Sequence, residues 1–391
     1  MNILIIGSGG REHALAWKIK QSPICEQLFI ASGNAGTAMV GTNVAIADSD
    51  FEKLAEFSLK ENIGLIVVGN EAPLVAGIKD YFAVRPDLKD ILMIAPSKKG
   101  AMLEGSKDFS KNFMEKYGIP AAKSKTFDKN SLEEGLDYLD TIQTPIVLKA
   151  DGLAAGKGVI ITNDVAEAKT ELRQMIAEQK FGNAGDKVLV EEFLDGIEVS
   201  VFVLTDGKNY KILPESKDYK QIGEGNTGLN TGGMGAVSPV PFADAQFMQK
   251  VEETMVKPTL KGLQEENIDF CGFIFLGIMS VQGVPYLLEY NVRMGDPETE
   301  VVLPRISSDF LDLLIKCAKQ EINTATLEII PQFVTGTVCV SGGYPESYQK
   351  GKVIKNLDSV DENVLVFHAG TKAENGEILT NGGRVLVCTA F

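Results

Sequence analysis

Four short apolar runs constrain the first hundred residues more than any other feature. They lie at 3–6, 28–31, 65–68 and 91–95, and stretches of helical character at 11–20, 51–60 and 71–83 separate them. Runs of four or five residues suit strands, and strand–helix alternation with short connections builds a parallel sheet covered on both faces. The chain opens on Met1-Asn2-Ile3-Leu4-Ile5-Ile6-Gly7, a strand running straight into glycine rather than a basic, apolar leader. A further helix is predicted over 97–116, with Phe109, Phe113 and Tyr117 four residues apart. Gly118-Ile119-Pro120 ends it.

From about residue 120 the pattern changes. Strands come in pairs, 145–149 with 159–162 and 187–191 with 198–205, followed by 209–213. This is α+β with antiparallel hairpins. Residues 214–241 are rich in Gly, Asn, Thr and Pro, and are too long for an ordinary connector. Loops of that length are usually functional or disordered. A helix over 244–266, strands over 271–280 and 285–291, and a helix over 308–319 come next. From about 325 the chain is β-rich.

Charge and residue usage narrow the chemistry. With 38 Lys and Arg against 53 Asp and Glu the net charge is −15. That argues against a nucleic-acid partner, which needs cations to neutralise phosphates, and against an anionic membrane surface. No apolar run approaches the roughly 20 residues of a membrane span. The five cysteines are scattered, odd in number and free of CxxC spacing, which suits reduced thiols and a cytoplasmic protein. Only two histidines exist, His13 and His368. A His-based zinc site is therefore disfavoured, and the chemistry falls to Lys, Arg, carboxylates and a hard metal.

Two glycine loops sit at the ends of the first two strands. Gly7-Ser8-Gly9-Gly10-Arg11-Glu12 resembles a dinucleotide fingerprint, but its third glycine is replaced by Glu12. No acidic residue closes the second strand, where Ala31-Ser32-Gly33-Asn34 stands. Such a loop is either a tight structural turn or a set of backbone N–H groups offered to an anion. A second small-residue loop, Gly33-Asn34-Ala35-Gly36-Thr37, at the adjacent strand end favours a ligand crevice.

Three further stretches carry chemistry. Lys149-Ala150-Asp151-Gly152-Leu153-Ala154-Ala155-Gly156-Lys157-Gly158 fails as a P-loop on spacing, on the missing Ser or Thr, and because a strand follows. It reads as a glycine flap between antiparallel strands that folds over phosphates, or as a solvated surface hairpin. Lys149 on the strand would act as a point charge. Glu191-Glu192-Phe193-Leu194-Asp195-Gly196-Ile197-Glu198 is a strand exit able to edge a purine, although in isolation a plain charged hairpin is the favoured reading. In Glu289-Tyr290-Asn291-Val292-Arg293-Met294-Gly295-Asp296-Pro297-Glu298, Glu289 and Asn291 share one strand face. Carboxylate and carboxamide oxygens suit Mg²⁺, and Arg293 beyond them could clamp a carboxylate or phosphate.

These stretches in this order closely resemble the ATP-grasp ligases, and among them the glycinamide ribonucleotide synthetase (phosphoribosylamine–glycine ligase) family. The resemblance runs through GSGGREHALAWK (7–18), SGNAGT (32–37), GSKDFSK (105–111), PIVLKADGLAAGKGVII (145–161), VEEFLDGIEVSV (190–201), PESKDYK (214–220), GLNTGGMGAVSPVP (228–241), EYNVRMGDPETEVVLPR (289–305) and GGRVL (382–386). It implies three parts. Residues 1–104 would form a Rossmann-like, parallel pre-ATP-grasp domain. Residues 105–320 would form the ATP-grasp domain, with a glycine-rich flap subdomain at about 122–192. Residues 321–391 would form a small β-rich domain.

The resemblance also implies ligation of glycine to 5-phosphoribosylamine with ATP through glycyl phosphate, in de novo purine synthesis. Lys107, Lys149 and Lys157, with Gly156 and Gly158 of the flap, would hold phosphates. Glu191, Phe193 and Leu194 would line adenine, and Glu198 would meet the ribose. Glu289 and Asn291 would bind Mg²⁺ or Mn²⁺. Arg293, Asp218 and Asp296, with Asn230, Thr231, Gly232 and Gly233, would surround glycine and the acyl phosphate. Gly9, Gly10, Arg11, Asn34, Gly36 and Thr37 would hold the phosphoribosyl group. Lys149, Arg293, Asp218 and Asp296 carry the expected catalysis.

Departures from the family pattern stand beside these expectations. The strand 272–280 holds no carboxylate for a second metal ion, and the common D-H-K reads Asp218-Tyr219-Lys220. The chain ends at Phe391, as expected of a single-activity form, and a monomer is expected, with a dimer as alternative. Rival readings are another ATP-grasp carboxylate–amine ligase or carboxylase, or a catalytically silent nucleotide-binding protein.

Overall fold

The structure, a computed structural model, describes residues 1–153 and 158–391. The expected parallel sheet is there. Asn2–Gly7 lies at its centre, flanked by Leu28–Ser32 and then Thr42–Val44 on one side, and by Ile63–Val68 and then Leu92–Ile94 on the other. All four pairings are parallel. Both faces are buried, as its near-continuous apolar strands require. Leu4 and Ile6 join Ile66 and Val68 in one core, and Ile3 and Ile5 join Leu65 and Val67 in another. The strand order reverses at Asn2–Gly7, and this is where open parallel sheets leave a crevice beyond the carboxyl ends of their strands.

Two predicted helices are interrupted. The 97–116 segment forms Lys98–Gly105 and Lys107–Lys116. Ser106 breaks it by capping the second helix, accepting from the Phe109 N–H at 3.1 Å, while its hydroxyl donates to Asp151 at 2.9 Å. The 71–83 segment divides at Gly77, whose φ of 91° is open to glycine at little cost.

Beyond residue 120 the sheets are antiparallel. One has the order Ser124–Asp128, Lys187–Glu192, Ile146–Ala150, Val159–Thr162, and its own core includes Phe127, Leu148 and Leu172. Another has the order Tyr210–Ile212, Ile197–Thr205, Gly272–Val281, Val284–Asn291. In its last pair the register shifts between Gly277 and Ile278, so that Glu289 stands opposite Gly277.

The 214–241 segment is not a loop. Lys217–Gly223 and Thr227–Ser238 form a hairpin, and the hairpin joins the C-terminal strands Val334–Val340, Arg384–Ala390 and Val364–His368 in a single five-stranded sheet. The pattern hides this for a physical reason. Its glycines carry no apolar alternation, and the partner strand lies about a hundred residues away, with Gly235 opposite Thr337 and Ala236 opposite Gly336. A Cβ on Gly235 would lie 2.7 Å from the Gly336 carbonyl oxygen, so glycine is what lets the two strands approach. This sheet docks on the first through Phe367, which meets His13 and Trp17 edge-on at 5.6 Å each.

Gly235→Val is therefore expected to lower the melting temperature, at a cost of roughly 1–3 kcal/mol for an overpacked contact. Gly342→Ala, where an added Cβ meets nothing within 4 Å, is expected to leave it unchanged. Thermal melts of the two variants check this, and identical melts would dismiss the close approach as the reason for glycine.

Candidate functional site

The site is organised around half-buried Glu289. Burial pushes its carboxyl upward, but Lys220, Lys149, Lys107 and Arg293 outweigh burial and hold it below the ordinary carboxylate value. Those four cations come from four segments. Lys149 ends the strand Ile146–Ala150 and pairs with Glu191 at 2.9 Å, and Lys111 approaches the same carboxylate at 3.4 Å. Lys107 opens its helix and donates to the Gly152 carbonyl at 3.4 Å. Burial lowers its ammonium, which Glu289 supports. Lys220 lies on the hairpin and pairs with Glu198 at 2.5 Å.

Asn291 follows on the same strand face, as expected. Its Oδ1 accepts from Arg293 Nη2 at 3.1 Å, so the arginine continues that face beyond the strand's end. Arg293 is held from behind by Glu104 at 2.9 Å. Glu104 in turn accepts the Val292 N–H at 2.8 Å. Among the described residues no group of three or more His, Cys, Asp or Glu could hold a metal ion. Glu289 and Asn291 nevertheless form an oxygen pair of the kind Mg²⁺ uses when phosphates and water complete its shell. The position across the ladder is Gly277, whose Cβ would come 3.2 Å from Glu289 Cγ, so that position supplies no second carboxylate.

Two clefts of about 410 Å³ each lie between the first sheet and the C-terminal sheet. They share Ser8, Gly9, Asp296 and Arg384. One runs toward Arg11, Glu71 and Arg293. The other runs toward Asn34, Tyr344 and Thr371. Asp296 is the seam between them. Its Oδ2 accepts the Arg11 N–H at 3.3 Å, and its Oδ1 pairs with Arg384 at 3.1 Å. Burial raises the Asp296 carboxyl, but Arg384 and Arg11 hold it below the usual value. Arg384 also donates to the Gly232 carbonyl at 2.6 Å.

The remaining expected residues fall into two groups. Gly9, Arg11, Asn34, Gly232, Arg293 and Asp296 line the clefts. Gly10, Gly36 and Thr37 are instead packed against the protein. A Cβ on Gly10 would strike Glu300, one on Gly36 would strike His13, and Thr37 Oγ1 bonds Asn34 and Asn43. Asn34 spends its amide on the Ser8 and His368 carbonyls and its oxygen on the Gly36 and Thr37 N–H groups. Asn230 pairs with Gln221 in the hairpin, Thr231 donates to the Lys220 carbonyl, and Gly233 packs on Pro297. Phe193 is exposed, Leu194 half-buried, and Glu191 turns its carboxylate to Lys149 and Lys111. Gly156 and Lys157 lie outside the described residues, and Gly158 is buried, its carbonyl accepting the Ala150 N–H. The two histidines, far apart in sequence, pack together with ring centres 5.6 Å apart. Burial pushes the His13 imidazole down to about 3, so it serves neutral, accepting the His368 N–H.

Sequence reasoning assigned no role to Glu104, Lys111, Lys220, Glu298 or Arg384. Lys220 and Arg384 fall inside the stretches PESKDYK and GGRVL, and Glu298 ends GDPE. Glu104 carries no such signal. Glu298 is buried, and its carboxylate accepts from Ser200 at 3.3 Å. Burial and the neighbouring Asp218 push its carboxyl up to about 7. The folded chain thus keeps a proton that the unfolded chain loses between the ordinary Glu value and about 7. Stability falls as pH rises through that window and levels off above it. Glu298→Gln cannot ionise, so its melting temperature relative to the parent is expected to be higher at pH 8 than at pH 5. Melts across that range check this, and a pH-independent difference would remove the buried proton.

Three models of one family, described as phosphoribosylglycinamide synthetase, match the chain in order. The N domain covers residues 1–104, the ATP-grasp (A) domain 105–299 and the C domain 334–391. The phosphoribosylamine–glycine ligase of Clostridium acetobutylicum is 46% identical over 390 residues, covering 100% of this chain and 92% of that protein. A bifunctional purine biosynthetic protein of Pichia angusta is 42% identical, and the chain spans 50% of its length. The crystal structure of phosphoribosylamine–glycine ligase from Thermotoga maritima superposes with a TM-score of 0.84 at 35% identity, covering 100% of this chain and 92% of that one. A biotin carboxylase domain of Hydrogenobacter thermophilus, with a TM-score of 0.73 at 17% identity, covers 100% of this chain and 86% of that one and shares the fold.

Proposed function

The chain belongs to the phosphoribosylglycinamide synthetase family, and from that premise we propose how its residues divide the work of joining glycine to 5-phosphoribosylamine with ATP. The enzyme is an ATP-grasp ligase that forms a C–N bond in purine biosynthesis. The glycine carboxylate attacks the γ-phosphate and releases ADP, leaving glycyl phosphate. The sugar amine attacks the acyl carbon, loses a proton and expels inorganic phosphate.

The observation that carries the assignment is the convergence of Lys107, Lys149, Lys220 and Arg293 on half-buried Glu289. Phosphoryl transfer depends on positioning and charge neutralisation rather than on a strong base. Lys107 and Lys149, with Lys157 of the flap, take the phosphates. Glu289 and Asn291 would hold Mg²⁺ or Mn²⁺, which when bound neutralises charge on the transferred phosphoryl group. Phe193 and Leu194 at the strand exit take adenine. Glu198 takes the ribose, exchanging Lys220 for it. Arg293, kept in place by Glu104, orients the glycine carboxylate in the cleft that Arg11 and Glu71 also line. The amine substrate takes the adjoining cleft, where Gly9 and Asn34 of residues 1–104 face Thr371 and Arg384 of residues 321–391. Asp296 at the seam brings the two reacting groups together.

No helix among the described residues is long and apolar enough to cross a membrane. Five free thiols fit a reducing compartment, and we assign the enzyme to the cytoplasm.

ADP release tests the reading directly. ADP and glycinamide ribonucleotide should form only when ATP, glycine and freshly prepared phosphoribosylamine are all present. ADP formation with bicarbonate in place of glycine would point to a carboxylase instead. Lys149→Ala is expected to lower kcat/KM by about 10²–10³, the effect of losing one charge-assisted phosphate contact worth roughly 2–4 kcal/mol. Glu289→Gln is expected to lose activity at limiting Mg²⁺ and recover part of it as Mg²⁺ or Mn²⁺ is raised. Full activity of Glu289→Gln at limiting metal would remove Glu289 from the metal assignment.

A further inference from the structure

Two cysteines outside the site lie close together on the C-terminal sheet. Cys339 is on Val334–Val340 and Cys388 on Arg384–Ala390, with sulfurs 4.0 Å apart. The strands are antiparallel neighbours, with Val338 opposite Val387 and Cys339 opposite Leu386. Cys388 is therefore diagonal to Cys339, and the two side chains stand on the same face, opposite the buried Val338 and Val387. Cys339 is exposed and Cys388 half-buried, so small solutes reach the pair from one side. The ladder is irregular immediately after Cys339, between it and Val340, which gives the backbone there room to adjust. The other close pair differs on each count. Cys271 and Cys317, 3.8 Å apart, are both buried, and the Cys317 thiol is engaged by the Thr205 carbonyl.

We propose that Cys339 and Cys388 form a reversible dithiol–disulfide modification site whose oxidant is a peroxide or a small-molecule disulfide. With hydrogen peroxide, the Cys339 thiolate attacks one peroxide oxygen and becomes a sulfenic acid, and the other oxygen leaves as water. Cys388 then attacks the Cys339 sulfur, the S–S bond forms and the sulfenic oxygen leaves as a second water. Two thiols lose two electrons and two protons, and one peroxide is reduced to two waters. Closure brings the sulfurs from 4.0 Å to the roughly 2.0 Å of a disulfide. The bond staples the strand that begins at Arg384 to the strand whose Thr337 pairs with Gly235. It thus braces the strand that carries Arg384 against the neighbour of Thr227–Ser238, the strand that carries Gly232, without entering either cleft.

The test uses the full chain, reduced, desalted and then exposed to hydrogen peroxide or to oxidised glutathione. Peptide mapping without reductant should recover the Cys339 and Cys388 peptides joined, lighter by two hydrogens than the free pair. Dithiothreitol should separate them. Alkylation of Cys339 should fall by about tenfold on oxidation and return on reduction. The oxidised protein should melt higher than the reduced one. Cys339→Ser should abolish the cross-link and the rise in melting temperature while keeping the ligase rate of the reduced parent. Cys388→Ser serves the same purpose if the first variant fails to fold. Recovery of Cys339 as a glutathione adduct or sulfinic acid with Cys388 still free would overturn the proposal. So would a cross-link confined to Cys271 and Cys317.

Discussion

Asp296 ties together segments that are distant in the chain. One of its oxygens receives the backbone N–H of Arg11, at the start of the first long helix, and the other pairs with Arg384, which opens the last strand. A carboxylate taken out of water is costly unless it is paired and hydrogen-bonded, and breaking such a pair leaves an uncompensated charge. The contact therefore holds only if the first sheet, the turn after Val284–Asn291 and the C-terminal sheet stay in one relative placement. Both clefts open at that point, so their shapes depend on the same contact. The docking of Phe367 on His13 and Trp17 supplies the apolar part of this junction.

The protein carries fifteen net negative charges, yet its substrates are anionic. Local arrangement resolves this. Four cationic side chains meet around Glu289, and they lower its proton affinity against the partial desolvation that raises it. These cations are paired within the protein. Lys149 is paired with Glu191, Lys220 with Glu198, and Arg293 with Glu104. The pairings with buried Glu191 and Glu104 offset the desolvation of a charge and keep the cation at its post, while Lys220 and Glu198 pair nearer to solvent. A bound phosphate would compete with these carboxylates, so part of the binding energy goes into exchanging partners.

The strands of the first sheet were legible because they are buried on both faces and read as continuous apolar runs. Glu289, Asn291 and Arg293 were legible because period-two spacing places them on one side, and the structure adds the Arg293–Asn291 bond that extends this face past the strand. The hairpin 217–238 was not legible, because its order comes from a partner strand about a hundred residues away and its glycines leave no apolar pattern. Ser106 shows a subtler limit. A helix-compatible stretch is broken there by a hydroxyl that caps one helix and reaches Asp151, and that partner is supplied by a segment 45 residues further along the chain. Gly36 and Gly10 show the converse. Small residues at strand ends read as room for a phosphate, and the structure adds a packing reason for them, since a Cβ on Gly36 or Gly10 would meet His13 or Glu300.

By itself the sequence determined the parallel first sheet, the family and the chemistry, because these rest on local periodicity and on short stretches whose residue types carry their own meaning. Only the tertiary structure decided which residues work together. Glu104 behind Arg293, Lys220 beside Glu289, Arg384 on Asp296 and Cys388 beside Cys339 are separated by between 49 and 189 residues. No local pattern encodes such pairs. They exist because close packing of several sheets brings distant chain segments within a few ångströms, where burial makes each charge depend on the partner it finds.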